Sequence, residues 1–459
     1  MNYDESVGAL LALGRELASP RQAHVQKFAL DNITTLSRAL GNPHLAIPCA
    51  HVAGTNGKGS TAAFLDSILR ASGMRTGLYT SPHLERINER IRFSGEDISD
   101  EAFAASWTKI QSVIESLLAR GELAAHPTFF ECVTAIAFVA FAGRPVDFAV
   151  YEVGLGGRLD ATNIVVPEVG VIAPVDFDHE TFLGHSIGEI AGEKAGIIKA
   201  GGWIVSARQR EEARRVISRR AGEMGARVWN VDEGWLVESV ESQDGQYRAA
   251  ATYRTTGAKL CIAPSLAGRF QVDNALAAAT AALLLRERGH RISEADIEQG
   301  ISSARWPGRL ERLAEHPAVY LDGAHNPSAA RELRKFWDDH FAGRRIFLIY
   351  GAMRDKAVDE IAGELFPRAE MVFLTQPRQS RSISAGLLAE MTAGLAREAE
   401  VAPDPAAALD RALAEASADD AIFATGSLFL VGDLRHEWNL RRAPTAAVTV
   451  TPPLPKDLR

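Results

Sequence analysis

Short apolar runs alternate along the chain with longer stretches in which apolar residues recur every three or four positions. The runs at 47–53, 76–80, 148–153 and 169–174 are short and apolar, most of them rich in Val and Ile, without clean polar alternation, the pattern of strands buried on both faces of a parallel sheet. Residues 60–71 pair Phe64 with Ile68 and Leu65 with Leu69 at helical spacing and stop at Gly73. This alternation predicts an α/β fold whose ligands sit beyond the strand C-termini. Over 203–264 apolar and polar residues alternate around Asp244-Gly245, which reads as a β-hairpin region inserted in the first domain. Near 305–308 the helical pattern stops, and a second series of strands is expected at 318–321, 345–350, 371–375 and 421–424. The expected division is a first domain of 1–304, a C-terminal α/β domain of 305–440, and a loosely held Pro- and Thr-rich tail over 441–459.

Composition narrows the class. With 459 residues, 46% hydrophobic and 24% charged, the sequence describes a soluble protein of two or three domains. A net charge of −8 supplies no pervasive basic field, so nucleic acid is not an expected partner. Cys49, Cys132 and Cys261 are far apart and lack zinc-site spacing, and are expected as buried thiols in a reducing cytoplasm. The N-terminus lacks a basic leader, and the most apolar stretch, 132–142, is too short to span a bilayer. A cytoplasmic protein with no membrane partner is expected.

Residues 51–60, HVAGTNGKGS, form a strand-to-helix turn with glycines, Lys58 and Ser60 in the order a phosphate cradle needs. Glycines let backbone N–H groups approach phosphate oxygens, the lysine supplies a point charge, and a hydroxyl at a helix N-terminus can ligate Mg²⁺. The turn departs from the common P-loop: only Thr55 and Asn56 separate Gly54 from Gly57, and Gly59 stands between lysine and hydroxyl. The strand AVYEV ends in Glu152, a carboxylate in an apolar strand, readable as a Mg²⁺ ligand or as a strand-end ion pair with Arg158. The next strand ends in Asp176, Asp178 and His179, placing acid and imidazole on the same sheet edge. Lys194, in EKAGIIK, could act on phosphate oxygens or as an anionic carbamate; the residues alone leave both open.

Taken in order, HVAGTNGKGS, TSPHL (80–84), NERI (88–91), TFFE (128–131), YEVGLGGRLDATN (151–163), DHETFLG (178–184), EKAGIIK (193–199), WPGRLE (306–311) and LDGAHNP (321–327) resemble the folylpolyglutamate synthase/dihydrofolate synthase family of the Mur ligase superfamily, from about Lys27 to about Leu434. The resemblance implies a P-loop ATPase-like parallel-sheet domain with a small β subdomain, followed by a smaller Rossmann-like α/β domain. It assigns ATP contacts to Asn56, Gly57, Lys58, Gly59, Ser60, Asn274, Arg309 and Asp322, with His325 close by. Ser81, Glu152, His179 and Lys194 match its Mg²⁺ ligands, expected in two sites with Lys194 carbamylated. Asp31, Thr128, Phe129, Phe130, Leu159, Asp160 and Ala161 would face the pterin, although Phe129 and Phe130 also suit a core and Asp31 a helix cap. Lys58, Lys194, His179 and Arg309 would carry the chemistry. That chemistry is ATP-dependent amide formation on a reduced folate or dihydropteroate with L-glutamate, by an enzyme expected to act as a monomer. Two other readings remain at this point: a Mur-type ligase acting on a cell-wall nucleotide precursor, and a nucleotide-switch ATPase.

Overall fold

The computed structural model describes residues 1–14 and 30–442. Lys27 and residues 443–459 of the expected tail lie outside them, whereas Arg441 and Arg442 close the helix Leu428–Arg442. The first sheet contains β1 (Cys49–Ala53), β2 (Thr76–Tyr79), β3 (Ile91–Phe93), β4 (Glu96–Asp97), β5 (Phe148–Glu152), β6 (Val169–Ile172), β7 (Trp203–Ser206) and β8 (Arg227–Asn230). Its order is β4-β3-β2-β5-β1-β6-β7-β8, parallel from β2 to β8, with β3 and β4 an antiparallel edge. Alternate residues feed different layers: Ala50, Val52, Phe148 and Val150 pack against the helices Lys58–Ala71 and Phe270–Glu287. Cys49, Ala149 and Tyr151 face the helices Asp100–Ala119 and Phe129–Ala142 on the other side. Burial on both faces is why these strands read as continuous apolar runs.

The hairpin expectation for 203–264 holds only in part. Trp203–Ser206 and Arg227–Asn230 are β7 and β8 of the parallel sheet, separated by the helix Glu211–Glu223. The antiparallel sheet is confined to β9 (Trp235–Gln243), β10 (Gln246–Tyr253) and β11 (Lys259–Ile262). Asp244 (φ 50°) and Gly245 (φ 79°) make its two-residue turn, the left-handed pair that a tight hairpin needs. Burial of the cysteines also holds in part: Cys49 and Cys132 are buried, while Cys261, on β11, is half-buried and accepts from Arg248 Nε at 2.9 Å.

The second sheet comprises β12 (Glu311–Glu315), β13 (Ala318–Leu321), β14 (Ile346–Tyr350), β15 (Met371–Leu374), β16 (Ala399–Val401) and β17 (Ala421–Thr425). Its order is β12-β13-β17-β14-β15-β16, parallel except for β12. Helices cover both faces, Pro327–His340 and Val358–Leu365 on one and Pro405–Glu415 and Leu428–Arg442 on the other. Contacts between the loops that follow the strands of the two sheets join the halves. Among the described residues no helix is long and apolar enough to cross a membrane.

Candidate functional site

The order β2-β5-β1-β6 sets the C-terminal ends of these parallel strands side by side, so Ser81, Glu152, the 54–60 turn and the 174–179 loop share one edge. The turn between β1 and the helix Lys58–Ala71 is sterically fixed. A Cβ on Gly54 (φ 145°) would lie 2.7 Å from the Ala173 Cβ, and one on Gly57 (φ 81°) 2.3 Å from Asn274 Oδ1. Gly59 likewise leaves room for Trp306, whose Nε1 would be 2.8 Å from an added Cβ. Thr55 clips the turn to the neighbouring loop: its N–H donates to the Pro174 carbonyl and its hydroxyl to the Asp176 carbonyl, each at 2.9 Å. Ser60 accepts from Gln271 Nε2 at 3.3 Å, and Gln271 Oε1 accepts from Asn274 Nδ2 at 2.9 Å. The helix Phe270–Glu287 thereby presents Asn274 to the cradle.

Two lysines converge on this turn. Lys58 Nζ donates to the carbonyls of Gly54 and Thr55 at 3.0 Å each, and Lys194 Nζ donates to Gly54 at 2.9 Å. Burial lowers the Lys58 pKa, with Glu152 and Asp178 opposing. Burial, followed by the charge of Lys58, lowers that of Lys194 to about 7. Glu152 is 4% exposed and accepts from the Ser81 N–H at 3.2 Å. Its pKa is raised to about 7 by burial, with Lys58, the Ser81 N–H and Arg309 pulling it down. The ion pair with Arg158 does not form, because Arg158 binds Glu193 at 2.8 Å. A buried carboxylate that accepts one hydrogen bond, from the Ser81 N–H, is an oxygen donor that suits a hard divalent cation. Among the described residues no group of three or more His, Cys, Asp or Glu side chains forms a metal cage. His179 stands apart from Glu152 in its contacts. Its Nδ1 lies 3.7 Å from Asp355 Oδ2 and its Nε2 3.4 Å from Lys356 Nζ, and burial lowers its pKa.

The second sheet contributes Arg309, Asp322 and His325. Asp322, at the end of β13, accepts from the N–H groups of Leu310 and Ala324 at 2.9 Å each, fixing the loop that carries Arg309. Burial lowers the Arg309 pKa while Asp322 and Glu152 raise it. Gly323 makes room for this guanidinium, since a Cβ there would lie 2.3 Å from Arg309 Nη1. His325 Nδ1 is 2.7 Å from the Gly323 carbonyl and its Nε2 3.5 Å from Asp178 Oδ2.

The residues expected to face a pterin lie on elements that pack together: the helices Asp31–Ala39 and Phe129–Ala142 and the turn Ala161–Ile164. Several of their side chains have local work. Thr128 caps its helix by a reciprocal bond with Glu131, and Asp160 accepts from the N–H groups of Gly154, Leu155 and Thr162. Asp31 is exposed in the first turn of its helix, a favourable place for an acid beside the helix dipole. Phe129 and Ala161 are buried and Leu159 is half-buried. Phe130 reaches the strand-end edge that carries Ser81 and Glu152: its ring would be 2.4 Å from a Cβ on Gly154, which would also lie 3.2 Å from Ser81 Oγ.

Sequence reasoning missed Lys356, Asp355 and Asn326, and gave Asp178 no specific role. Asp178 Oδ1 accepts from Lys356 Nζ at 2.6 Å and Oδ2 from Asn326 Nδ2 at 3.3 Å. Burial would raise the Asp178 pKa, but Lys356, His325 and His179 outweigh it and hold the carboxyl well below its usual range. The available signal was positional. Lys356 follows the C-terminal end of β14 as Asp178 follows β6, though nothing in the sequence indicates that these two ends face each other.

Comparison with known proteins agrees with this geometry. The chain matches the Mur ligase middle domain over residues 52–282 and the Mur ligase, glutamate ligase domain over 308–428. It is 36% identical over 417 residues to the dihydrofolate synthase/folylpolyglutamate synthase of Bacillus subtilis, covering 89% of this chain and 94% of that protein. It is also 36% identical over 448 residues to a probable bifunctional folylpolyglutamate synthase/dihydropteroate synthase of Haloferax volcanii. That match covers 97% of this chain, which spans 51% of the longer archaeal protein. Among solved structures, Escherichia coli FolC in complex with DHPP and ADP superposes with a TM-score of 0.83 at 30% identity, covering 96% of this chain and 99% of that one.

Proposed function

The chain belongs to the folylpolyglutamate synthase/dihydrofolate synthase family of the Mur ligase superfamily, and from that premise we propose that it joins L-glutamate to a folate or dihydropteroate carboxylate at the expense of ATP. The observation that carries this reading is the cleft lined by Gly59 and Ser81 of the first half, the buried carboxylate Glu152 and Arg309, where Lys58 and Arg309 both lower the Glu152 pKa. An enzyme that activates a carboxylate with ATP must offset the charge gathered as that carboxylate approaches the γ-phosphoryl group. Two cations supplied by separate domains, above a carboxylate suited to a divalent ion, meet that requirement.

The substrate carboxylate attacks the γ-phosphorus, the bond to the bridging oxygen breaks, and an acyl phosphate and ADP result. The amine of glutamate then attacks the acyl carbon, phosphate leaves with the C–O electron pair, and the nitrogen gives up its proton. Asn56, Gly57, Lys58, Gly59 and Ser60 hold the nucleotide phosphates in this reading, with Asn274, Arg309, Asp322 and His325 completing the nucleotide site. Ser81, Glu152, His179 and Lys194 would hold Mg²⁺, in two sites, and the bound ion would supply further charge neutralisation at the phosphoryl oxygens. Lys194 serves there as a carbamate, supported by a pKa near 7 that leaves free amine at neutral pH. Asp31, Thr128, Phe129, Phe130, Leu159, Asp160 and Ala161 form the pterin side. The proposal takes 1–304 as the nucleotide domain and 305–440 as the domain that closes on it, in a monomeric cytoplasmic enzyme. Exclusion of water from the closed site protects the acyl phosphate.

A cell-wall precursor as substrate is not favoured, since the matched curated relatives are folate enzymes. The deciding assay is ADP release by the purified protein with glutamate and either dihydropteroate or tetrahydrofolate. Release that requires glutamate and one of the two supports the proposal and identifies the acceptor. Turnover indifferent to both sinks it in favour of a nucleotide-switch ATPase.

A further inference from the structure

We propose that Asp178 is the latch carboxylate on which the second domain closes, a positioning residue that sets the two halves of the site in register without touching the reacting atoms. The proposal rests on the ligase reading above only for its catalytic consequence. Asp178 stands on the loop after β6, yet its side chain is committed across the domain junction. Lys356 Nζ donates to Oδ1 at 2.6 Å, Asn326 Nδ2 donates to Oδ2 at 3.3 Å, and His325 Nε2 lies 3.5 Å from Oδ2. Its own loop gives it one hydrogen bond, from the His179 N–H at 2.9 Å, and the His179 Nε2 at 3.9 Å. A carboxylate serving only its loop would not draw three groups from another domain.

Burial makes the contact strongly dependent on the joined arrangement. The side chains of Asp178 and Lys356 are 10% and 7% exposed, so neither charge keeps its hydration once the domains meet. A buried ion left without its partner is strongly destabilising, whereas an exposed pair is worth little. Closure is therefore tolerated only if the two charges meet, which fixes the relative register of the strand ends that carry them.

The latch is also tied to the phosphate cradle. Asn326 Nδ2 donates to Asn56 Oδ1 at 2.9 Å as well as to Asp178, and Asn56 Nδ2 returns a bond to Asn326 Oδ1 at 3.4 Å. Asn326 Oδ1 also caps the helix Pro327–His340 by accepting from the Ala329 N–H at 2.9 Å. A change in the 54–60 turn on nucleotide binding thus reaches Asn326 through one side-chain pair and reorients the donor that Asp178 accepts. Register at this point also governs how Arg309 faces Lys58, because Asp322 anchors the Arg309 loop four residues before Asn326.

The test is a double-mutant cycle on the full chain with Asp178→Asn, Lys356→Met and the pair together, read in two ways. Interdomain distance is followed by energy transfer between one dye on each domain, with and without a non-hydrolysable ATP analogue and Mg²⁺. Steady-state ADP release gives kcat and the KM for ATP. Each single variant is expected to lose the nucleotide-dependent shortening and roughly ten- to a hundredfold in kcat, the worth of a charge-assisted hydrogen bond, with KM for ATP little changed. The double variant is expected to be no worse than the more damaging single, since both remove one contact. Multiplying losses, or single variants that close as the wild type does, would overturn the latch. Should either variant fail to fold, Asn326→Ser removes the bridging amide and carries the same distance readout. A wild type that closes on nucleotide but shows no folate-dependent ADP release would defeat the ligase reading while leaving the cycle of distances to decide the latch.

Discussion

At the residue scale the site is governed by how few partners its buried charges have. Lys58 donates to two carbonyls of its own turn, so phosphate oxygens offer it a stronger, charged acceptor in the same place. Lys58→Ala is expected to lower kcat for ADP release by about 10²–10³, the usual loss for one transition-state charge stabiliser, with the melting temperature nearly unchanged. A variant with wild-type turnover and ATP affinity would remove Lys58 from the site. Lys194 permits a sharper test. Its pKa of about 7 means that the ammonium dominates below neutrality and the free amine above it, and only the amine adds CO₂. Activity is expected to fall as pH drops below about 7 and to recover there with added bicarbonate. Lys194→Ala should be inactive but partly rescued by acetate or formate, which can supply the missing anion, and Lys194→Arg should not replace it. Full activity in CO₂-depleted buffer together with no carboxylate rescue would leave Lys194 an ordinary lysine.

At the element scale, the cradle depends on how closely its helix is packed. The helix Glu294–Ser303 crosses Lys58–Ala71 at Gly300, where an added Cβ would come 2.3 Å from Ile68 Cα and 2.5 Å from its nitrogen. Those are backbone atoms, so the helices must separate. Gly300→Ala is therefore expected to cost about 1–3 kcal/mol and to lower the melting temperature by roughly 2–4 °C for each kcal/mol. Gly192, in the helix Ile187–Ala195, has nothing within 4 Å of an added Cβ, and Gly192→Ala should raise stability by about 0.5–1 kcal/mol. Equal shifts in thermal melts of the two variants would refute the packing argument. The strands around the cradle were legible because burial on both faces leaves continuous apolar runs. The edge strand β8 misled for the converse reason. Arg227, Val228, Trp229 and Asn230 are half-buried or exposed, with Arg227 stacked over Trp203 and Trp229. An edge strand of a parallel sheet, partly wet, shows the same alternation as a hairpin.

At the scale of the whole molecule, the site exists only where the two sheets present their strand ends to each other. Arg309 lies in the segment joining them and its charge lowers the Glu152 pKa; in the proposed role its contribution depends on domain closure. Arg309→Ala is expected to lower kcat by roughly 10²-fold, as for other transition-state charge stabilisers, while the affinity for the pterin substrate changes little. The comparison is steady-state ADP release against equilibrium binding of dihydropteroate. Normal turnover with collapsed pterin affinity would show the assigned role to be wrong.

The sequence by itself determined the α/β class, the strand-to-helix cradle, the Asp244-Gly245 turn and the family, because each is written in local order: period, glycine placement and contiguous motif. It also placed Glu152 at a strand end, since an acid closing an apolar run is visible without a fold, whereas the strand expected to end in His179 stops at Ile172 and leaves His179 on the following loop. Tertiary structure alone decided which of these ends meet. Glu152 faces Ser81 and receives the charge of Arg309, Arg158 turns away to Glu193, and Asp178 finds Lys356, separated from it by 178 positions. Those pairings depend on sheet order and on how the second sheet docks against the first. Both are fixed by packing among residues distant in the chain, and no local pattern encodes the distance between two loops.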